Sequence, residues 1–192
     1  MSLLEQLWGL ANESRWFSGR DGRPVRVDMG EALPTDDPAT TLQPAFLVVG
    51  YDDGREERYL VPLLLRDGAE PADVCDHGEV LLNQLRAEAP GFERRLEIPA
   101  NAPARRFTGE QSNTNIFFGT DVLAKVFRKI EPGTNVDVEL HRALAGTGVV
   151  AELYGVWSAD GEDLAVFLES LKDPEDGYDL ACAYGKDERD FT

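Results

Sequence analysis

The sequence predicts an α+β fold, in which a curled antiparallel sheet packed with helices is followed by a second β-sheet that carries one helix. Short apolar runs in period-two alternation, separated by turn residues, recur along the 192-residue chain. Between them, other segments place apolar residues at helical spacing. With 42% hydrophobic residues the chain can bury a core, and we therefore expect a folded protein.

The first element is predicted to be a helix. Apolar residues have helical spacing over residues 2–11, and Ser2 can serve as the N-cap. Val25 and Val27 then alternate with charged residues and predict a strand. Residues 30–44 are rich in Pro, Asp and Thr, so they predict a loop.

A hairpin and a helix follow. Residues 45–51 and 58–65 predict two strands, and Asp52-Asp53-Gly54 predicts the turn between them. Pro62 lacks a backbone N–H, so we expect its strand to lie at a sheet edge or to carry a bulge. Helical spacing returns over residues 79–89.

The second half of the chain has a different order of elements. Residues 97–104 contain two prolines and predict a connector, so we divide the chain into subdomains 1–100 and 101–192. The second subdomain reads as a strand, a polar loop and two further strands, then one helix over residues 136–145 and two more strands. The last strands are predicted at 149–157 and 164–168.

Charge and composition exclude several classes of partner. The net charge is −17, which argues against nucleic acid and anionic membranes, because both need a basic surface. The two cysteines, Cys75 and Cys182, have no metal-ligand spacing. No apolar run approaches the roughly 20 residues of a membrane span. We expect a cytoplasmic protein.

Residues 105–170 combine features that a nucleotide site requires. A loop of small and polar residues, including Ser112 and Asn113, lets backbone N–H groups approach phosphates. Lys125, on the strand after the loop, can neutralise phosphate oxygens, and Glu139 on the next helix can pair with it. The last strand would bring its backbone to the edge of the adenine ring near Glu169. This order is the layout of a protein-kinase-like N-lobe.

The residues themselves resemble a family of sugar kinases. Residues 109–115 (G-E-Q-S-N-T-N) resemble the G-E-Q-S-N-T-S loop of bacterial maltokinases, which are aminoglycoside-phosphotransferase-like enzymes. Residues 131–140 resemble their P-G-x-N-P-D-x-E-L helix start, and residues 176–180 resemble D-G-W-D-L after the hinge. Residues 15–20 (R-W-F-S-G-R) and 59–63 are similar to marks of the family's N-terminal cap.

The resemblance implies a function and a set of site residues. It implies transfer of phosphate from ATP, with Mg²⁺, to maltose or a related sugar. It makes residues 1–100 the cap and residues 101–192 the kinase-like N-lobe. Six residues are implied as nucleotide contacts or their supports: Ser112, Asn113, Thr114, Lys125, Glu139 and Glu169. Ser170-Leu171-Lys172 departs from the usual hinge, which weakens the adenine contact.

The catalytic base and the Mg²⁺ ligands of such kinases lie in a C-lobe after the hinge. Residues 180–192 contain no histidine, so we expect this chain to lack that lobe and to be inactive alone. We also expect residues 164–168 to leave an apolar hinge-side face that a protein partner or a second copy covers. The alternative is a stand-alone, non-catalytic interaction or regulatory module with the same cap-like fold.

Overall fold

The computed structural model describes residues 1–99, 102–108, 112–172 and 177–186. Within these ranges the helices are α1 (Leu3–Glu13), α2 (Glu79–Arg86), α3 (Val136–Leu144) and α4 (Gly177–Lys186), with a 3₁₀ helix at Val74–His77. The first strands are β1 (Arg23–Met29), β2 (Leu33–Pro34), β3 (Thr40–Gly50), β4 (Glu56–Arg66), β5 (Ala72–Asp73) and β6 (Phe92–Arg94). The later strands are β7 (Ala104–Arg106), β8 (Thr114–Phe118), β9 (Val122–Val126), β10 (Lys129–Ile130), β11 (Leu153–Ala159) and β12 (Glu162–Glu169).

The strands form two antiparallel sheets. In the first sheet the order is β1-β3-β4-β10, with β2 paired to β3 and β5 paired to β4. In the second sheet the order is β6-β11-β12-β9-β8-β7. The predicted α+β class is therefore confirmed, and the second sheet has the hairpin order that the sequence predicts.

Two hydrophobic clusters hold these layers together. On one face of the first sheet, α1 buries Leu7 and Ala11 against Leu47 and Tyr59. The other cluster is larger and joins both sheets through α2 and the residues beside it. Because one core contains side chains from both sheets, burial of apolar area stabilises their arrangement as a unit.

Two short strands cross between the predicted subdomains. Strand β6 lies before residue 100 but pairs with β11 of the second sheet. Strand β10 lies after residue 100 but pairs with β4 of the first sheet, with Lys129 opposite Tyr59. The division at residue 100 stays a prediction. Each half of the chain contributes one strand to the sheet formed mainly by the other half.

The first helix begins where the sequence predicts. The Ser2 side chain accepts a hydrogen bond from the Glu5 N–H at 3.2 Å, and the Glu5 carboxylate accepts one from the Ser2 N–H at 2.7 Å. This reciprocal pair satisfies two backbone donors that a helix start leaves unpaired. At α3, the Asn135 side chain likewise accepts from the Asp137 N–H at 2.9 Å, as expected for the predicted cap.

Residues 30–44 are not wholly a loop, and this prediction is wrong in part. Strand β2 lies within them, and β3 begins at Thr40. Leu33 and Leu42 face each other across the pair and are buried. Burial of these two leucines in the core outweighs the turn-forming composition around them.

Pro62 lies in an interior strand, at a gap between two short partners. Strand β4 pairs with β3 along one side, while β10 and β5 cover different parts of its other side. The Leu60 N–H donates to the Arg128 carbonyl at 2.7 Å on that other side, and the N of Pro62 points the same way. The missing donor therefore costs no ladder hydrogen bond, since β5 pairs only with Leu63 and Leu64.

The predicted bare strand at residues 164–168 is also wrong. These residues lie in β12, between β11 and β9, and all five side chains are buried. One face packs into the core shared by the sheets, and α3 lies on the other side. The hinge-side apolar face that was expected here is therefore not formed by this strand.

Candidate functional site

Lys125 lies near the middle of the second sheet. Its strand, β9, alternates so that Val122, Ala124 and Val126 are buried in the core, and Lys125 points to the opposite face. Its neighbours across the sheet are Asn115 on β8 and Val166 on β12. The lysine is thus placed by the sheet's register, with about two thirds of its side chain covered (31% exposed).

Helix α3 crosses the sheet above a row of residues that includes Lys125. The row continues from Lys125 to Val166, then to Val156 on β11 and Glu93 on β6. At one end of the helix, the Asp137 carboxylate contacts the Lys125 ammonium. Towards the other end, the Arg142 guanidinium donates to Glu93 at 2.9 Å. Two ion pairs therefore tie the helix to opposite parts of the sheet.

The start of α3 is held by a third contact. The Asn135 N–H donates to the Asp163 carboxylate at 2.9 Å, and the Ser158 hydroxyl donates to the other oxygen of the same carboxylate at 2.8 Å. Asp163 is buried at the start of β12. A carboxylate is favourable beside a helix N-terminus because the backbone N–H groups there carry partial positive charge.

The acid that pairs with Lys125 is Asp137, and the prediction of Glu139 is wrong in this structure. Glu139 is exposed, whereas Asp137 is half-buried beside the lysine. Residues two apart on an α-helix point about 200° apart, so only one of these acids can face the sheet. With Val138 buried against the sheet, the two acids lie on opposite flanks of α3, and Asp137 is on the flank beside the lysine.

The polar loop between β7 and β8 spans residues 107–113. Ser112 is exposed and Asn113 is half-buried, and both lie at the start of β8, where the predicted phosphate contacts would be made. Gly109, Glu110 and Gln111 lie outside the described residues. The Phe107 N–H donates to the Asn115 carbonyl at 2.8 Å and closes the hairpin across the loop.

Thr114 faces the core, which corrects its predicted role as a phosphate contact. Its side chain is buried, and its hydroxyl accepts a hydrogen bond from the Arg128 Nε at 2.8 Å. Alternation along β8 puts Thr114, Ile116 and Phe118 on the buried side. The hydroxyl therefore contributes to packing beneath the loop rather than to a surface above it.

Arg128 is fully buried and forms an ion pair with Asp73. The guanidinium Nη2 lies 2.6 Å from the Asp73 carboxylate, and Nη1 donates to the Leu60 carbonyl at 3.2 Å. Its carbon Cζ lies 4.6 Å from the ring centroid of Trp16. Burial disfavours the charge, but Asp73 more than offsets this and raises the pKa of Arg128.

The sequence pattern contains a signal for this buried arginine that our prediction did not use. Val122, Ala124 and Val126 occupy alternate positions of an apolar strand, and Arg128 is the next position on the same side. A charged residue that continues a buried stripe needs a buried partner. No comparable local signal marks Asp73, which lies in β5, 55 positions before Arg128 in the chain.

The cap motif at residues 15–20 has structural contacts throughout. Arg15 donates to the Thr108 carbonyl at 3.4 Å, and Phe17 packs edge-on against Tyr59 with centroids 4.8 Å apart. Arg20 donates to the Ser14 carbonyl at 2.6 Å, next to the end of α1. The motif therefore ends a helix, fills the core and reaches towards the β7–β8 loop.

Glu169 lies at the end of β12, as the predicted hinge requires. It is exposed, and its N–H donates to the Glu152 carbonyl at 2.8 Å. It pairs with Val122, which lies three residues before Lys125 on β9. At about 3.3 Å per residue, the hinge position is about 10 Å along the strand from the lysine. A pocket of about 340 Å³ beside it is lined by Tyr154, Ser170 and neighbouring residues.

Across residues 1–99, 102–108, 112–172 and 177–186, no three His, Cys, Asp or Glu side chains converge closely enough to hold an ion among themselves. In the same part of the chain, no helix is both long and apolar enough to cross a membrane.

Comparison with known proteins agrees with this architecture. Residues 11–84 match the family model of the maltokinase N-terminal cap domain. Among solved structures, a glucosamine kinase in complex with glucosamine, ADP and inorganic phosphate is similar, with a TM-score of 0.56 and 20% sequence identity. The match covers 95% of this chain and 44% of that kinase, so the chain spans less than half of its length. The predicted resemblance is confirmed: residues 11–84 match the model of the maltokinase N-terminal cap domain, and the fold of the chain is similar to that of part of the glucosamine kinase.

Proposed function

We propose that this chain is the N-terminal, nucleotide-binding half of a maltokinase-like sugar kinase. It would bind ATP with Mg²⁺ and, when completed by a C-lobe, take part in phosphorylation of maltose or a related sugar. The observation that carries the proposal is the placement of Lys125 on β9, paired with a carboxylate of α3 and next to the β7–β8 hairpin. In kinase-like enzymes this arrangement holds the lysine against the nucleotide phosphates.

In this proposal each group has a separate task. Lys125 would neutralise phosphate oxygens as a point charge, and Asp137 would hold its ammonium in place. Ser112 and Asn113 would present backbone and side-chain donors to the same phosphates. Lys125 and the Glu169 position lie on neighbouring strands and are about 10 Å apart along the strand direction, which would leave room for an extended nucleotide between the phosphate and base sites.

In this proposal the remaining catalytic groups come from a C-lobe. A kinase needs a base to take the proton of the sugar hydroxyl and ligands to hold Mg²⁺ against the phosphates. We therefore propose that the chain binds nucleotide weakly by itself and does not phosphorylate sugar. The similar kinase, whose complex contains ADP, supports the nucleotide proposal at the level of fold.

A thermal melting experiment tests nucleotide binding. With Mg·ATP at tenfold its dissociation constant, mass action stabilises the folded state by about 1.4 kcal/mol. For a chain of this size that shifts the melting temperature by roughly 3–5 °C. We expect the shift in the wild type and its loss in Lys125→Ala. Lys186→Ala, which removes an exposed lysine of α4, is the matched control and should keep the shift.

A second candidate function rests on one surface. Val136 and Leu140 lie one turn apart on α3 and are 63% and 50% exposed, which is unusual for apolar residues of this size. A non-catalytic module could bind a protein partner there. If neither melting nor titration calorimetry detects Mg·ATP, the nucleotide proposal fails and the interaction module is the reading that remains.

A further inference from the structure

One described end of the β7–β8 loop contacts the cap (residues 1–100) directly, and the other end is linked to the cap through Arg128. At one end, the Thr108 carbonyl accepts a hydrogen bond from Arg15. At the other end, the Thr114 hydroxyl accepts one from Arg128, which the cap holds. The loop is the element proposed to receive the nucleotide phosphates, so its two flanks are the points at which another part of the fold can set its position.

Arg128 receives contacts from three separate parts of the cap. Asp73 precedes the 3₁₀ helix, Leu60 lies in the middle of β4, and Trp16 follows α1. The guanidinium is planar and donates in fixed directions, so these contacts and the bond to Thr114 cannot be changed independently. Displacement of any one of them would shift the arginine and, with it, the start of β8.

The packing beneath the hairpin leaves little room for adjustment. A Cβ atom added at Gly78 would lie 2.7 Å from the Ile116 side chain and 3.0 Å from that of Ala104. The Ala104 N–H donates to the Glu79 carboxylate at 3.2 Å, and Arg106 forms an ion pair with Asp76. The cap therefore contacts β7 and β8 directly, in addition to its contacts with Arg128.

We propose that Arg128 is a positioning residue that couples the cap to the nucleotide site, by fixing the start of β8 and with it the adjacent Ser112 and Asn113. The coupling rests on the proposed nucleotide function of that loop. It requires no contact between Arg128 and the nucleotide, because the arginine is fully buried on the cap side of the sheet, whereas Lys125 points to the other face. Nucleotide binding at the loop would then change the packing of the cap around Arg128, and a change in that packing would alter nucleotide affinity by the same factor.

Substitutions at Thr114 test the proposal without leaving Asp73 unpaired. Thr114→Ser keeps the hydroxyl that accepts from Arg128, and Thr114→Val keeps the shape but removes the hydroxyl. We expect Mg·ATP affinity, measured by calorimetry in the full chain, to stay within about twofold in the serine variant and to fall about tenfold in the valine variant. Thr40→Val removes another buried hydroxyl, away from the loop, and should leave the affinity unchanged.

The Trp16 indole provides a signal from the cap itself. Its Nε1 is buried and has no hydrogen-bond partner among the described residues, so stacking with Arg128 is the polar contact that the ring makes. The chain contains three tryptophans, and Trp16→Phe assigns the indole resonance. Saturating Mg·ATP should shift this resonance in the wild type and in Thr114→Ser. The shift should be absent in Thr114→Val.

A measurement without nucleotide separates this proposal from the proposed function. Hydrogen exchange of the Phe107 amide reports the hairpin closure, and the Phe127 amide, bonded to Leu164 at 2.9 Å, reports the sheet core. We compare the exchange rate of the Phe107 amide, divided by that of the Phe127 amide, with the same ratio in the wild type. This ratio should rise about tenfold in Thr114→Val and stay unchanged in Thr114→Ser. Equal exchange in the two variants would overturn the coupling, whether or not ATP binds. Bound ATP with no Trp16 shift and equal affinities would also overturn it.

Discussion

Glu57 should stabilise the fold in a strongly pH-dependent way. Its carboxylate side chain is 9% exposed and accepts four hydrogen bonds. Tyr51 and Tyr59 donate to one oxygen at 2.6 Å each, while Arg55 donates to the other at 2.8 Å and Lys129 at 2.7 Å. Because Lys129 belongs to β10, this cluster also joins the first sheet to the strand that comes from the second half of the chain.

The magnitude follows from the pKa of this carboxyl. Burial alone would raise the pKa of Glu57, but the hydrogen bonds from Lys129 and the two tyrosines lower it from 4.5 to about 2. One pH unit corresponds to about 1.4 kcal/mol, so the ionised group contributes about 3 kcal/mol to the free energy of unfolding. A lowered pKa makes this contribution fully present above about pH 5. It is lost as the pH falls towards 2, with about 1.4 kcal/mol left at pH 3.

Urea unfolding at several pH values tests this reasoning. Glu57→Gln should lose about 3 kcal/mol relative to the wild type near pH 7 and clearly less near pH 3. Glu56→Gln is the matched control, because Glu56 is the exposed neighbour on the same strand and should change stability by less than about 0.5 kcal/mol. A difference between Glu57→Gln and the wild type that stays constant from pH 7 to pH 3 would refute a low pKa at this carboxyl.

Further predictions concern α3 and two glycines. Asp137→Asn should weaken Mg·ATP binding several-fold in calorimetry, because it removes the charge that holds Lys125 on β9. Glu139→Gln should leave Mg·ATP binding unchanged. Weaker binding in Glu139→Gln than in Asp137→Asn would instead make Glu139 the partner of the lysine. Gly9→Ala should stabilise the fold by about 0.5–1 kcal/mol in urea unfolding, since the site lies within α1 and a Cβ there would meet nothing within 4 Å. An unchanged free energy of unfolding would argue against a formed helix at this position. Gly91→Ala should destabilise the fold by more than about 2 kcal/mol, because φ is +81° and the added Cβ would lie 2.3 Å from the Ser158 carbonyl oxygen. A melting temperature equal to that of the wild type would contradict this close approach.

The sequence predicts elements best where the signal is local. Ser2 and Asn135 mark the starts of α1 and α3 because a capping side chain acts within three residues of itself. The hairpin of β3 and β4 is predicted for the same reason, since its strands alternate around a turn. Strand β6 is missed because its three residues are too short to show alternation and are defined by pairing with β11.

The site is predicted less completely because it depends on orientation. The positions of Lys125 and Glu169 follow from strand order, which the sequence conveys. The partner of the lysine depends on which flank of α3 lies beside β9, and this follows from the contacts of the helix with the sheet. The buried pair of Arg128 and Asp73 joins residues 55 positions apart, so no local pattern could indicate it.

The crossing of β6 and β10 between the two sheets affects how this protein can be dissected and recombined. A gene cut at residue 100 would give each fragment an open sheet edge where its missing strand had been, and such edges favour aggregation. Transplanting the cap onto another protein would require residues 129–130 to be carried with it, and a strand equivalent to β6 to be present in the recipient. The cap is therefore not a removable module, and the boundary for engineering runs through the hydrogen-bonding pattern rather than through a single linker.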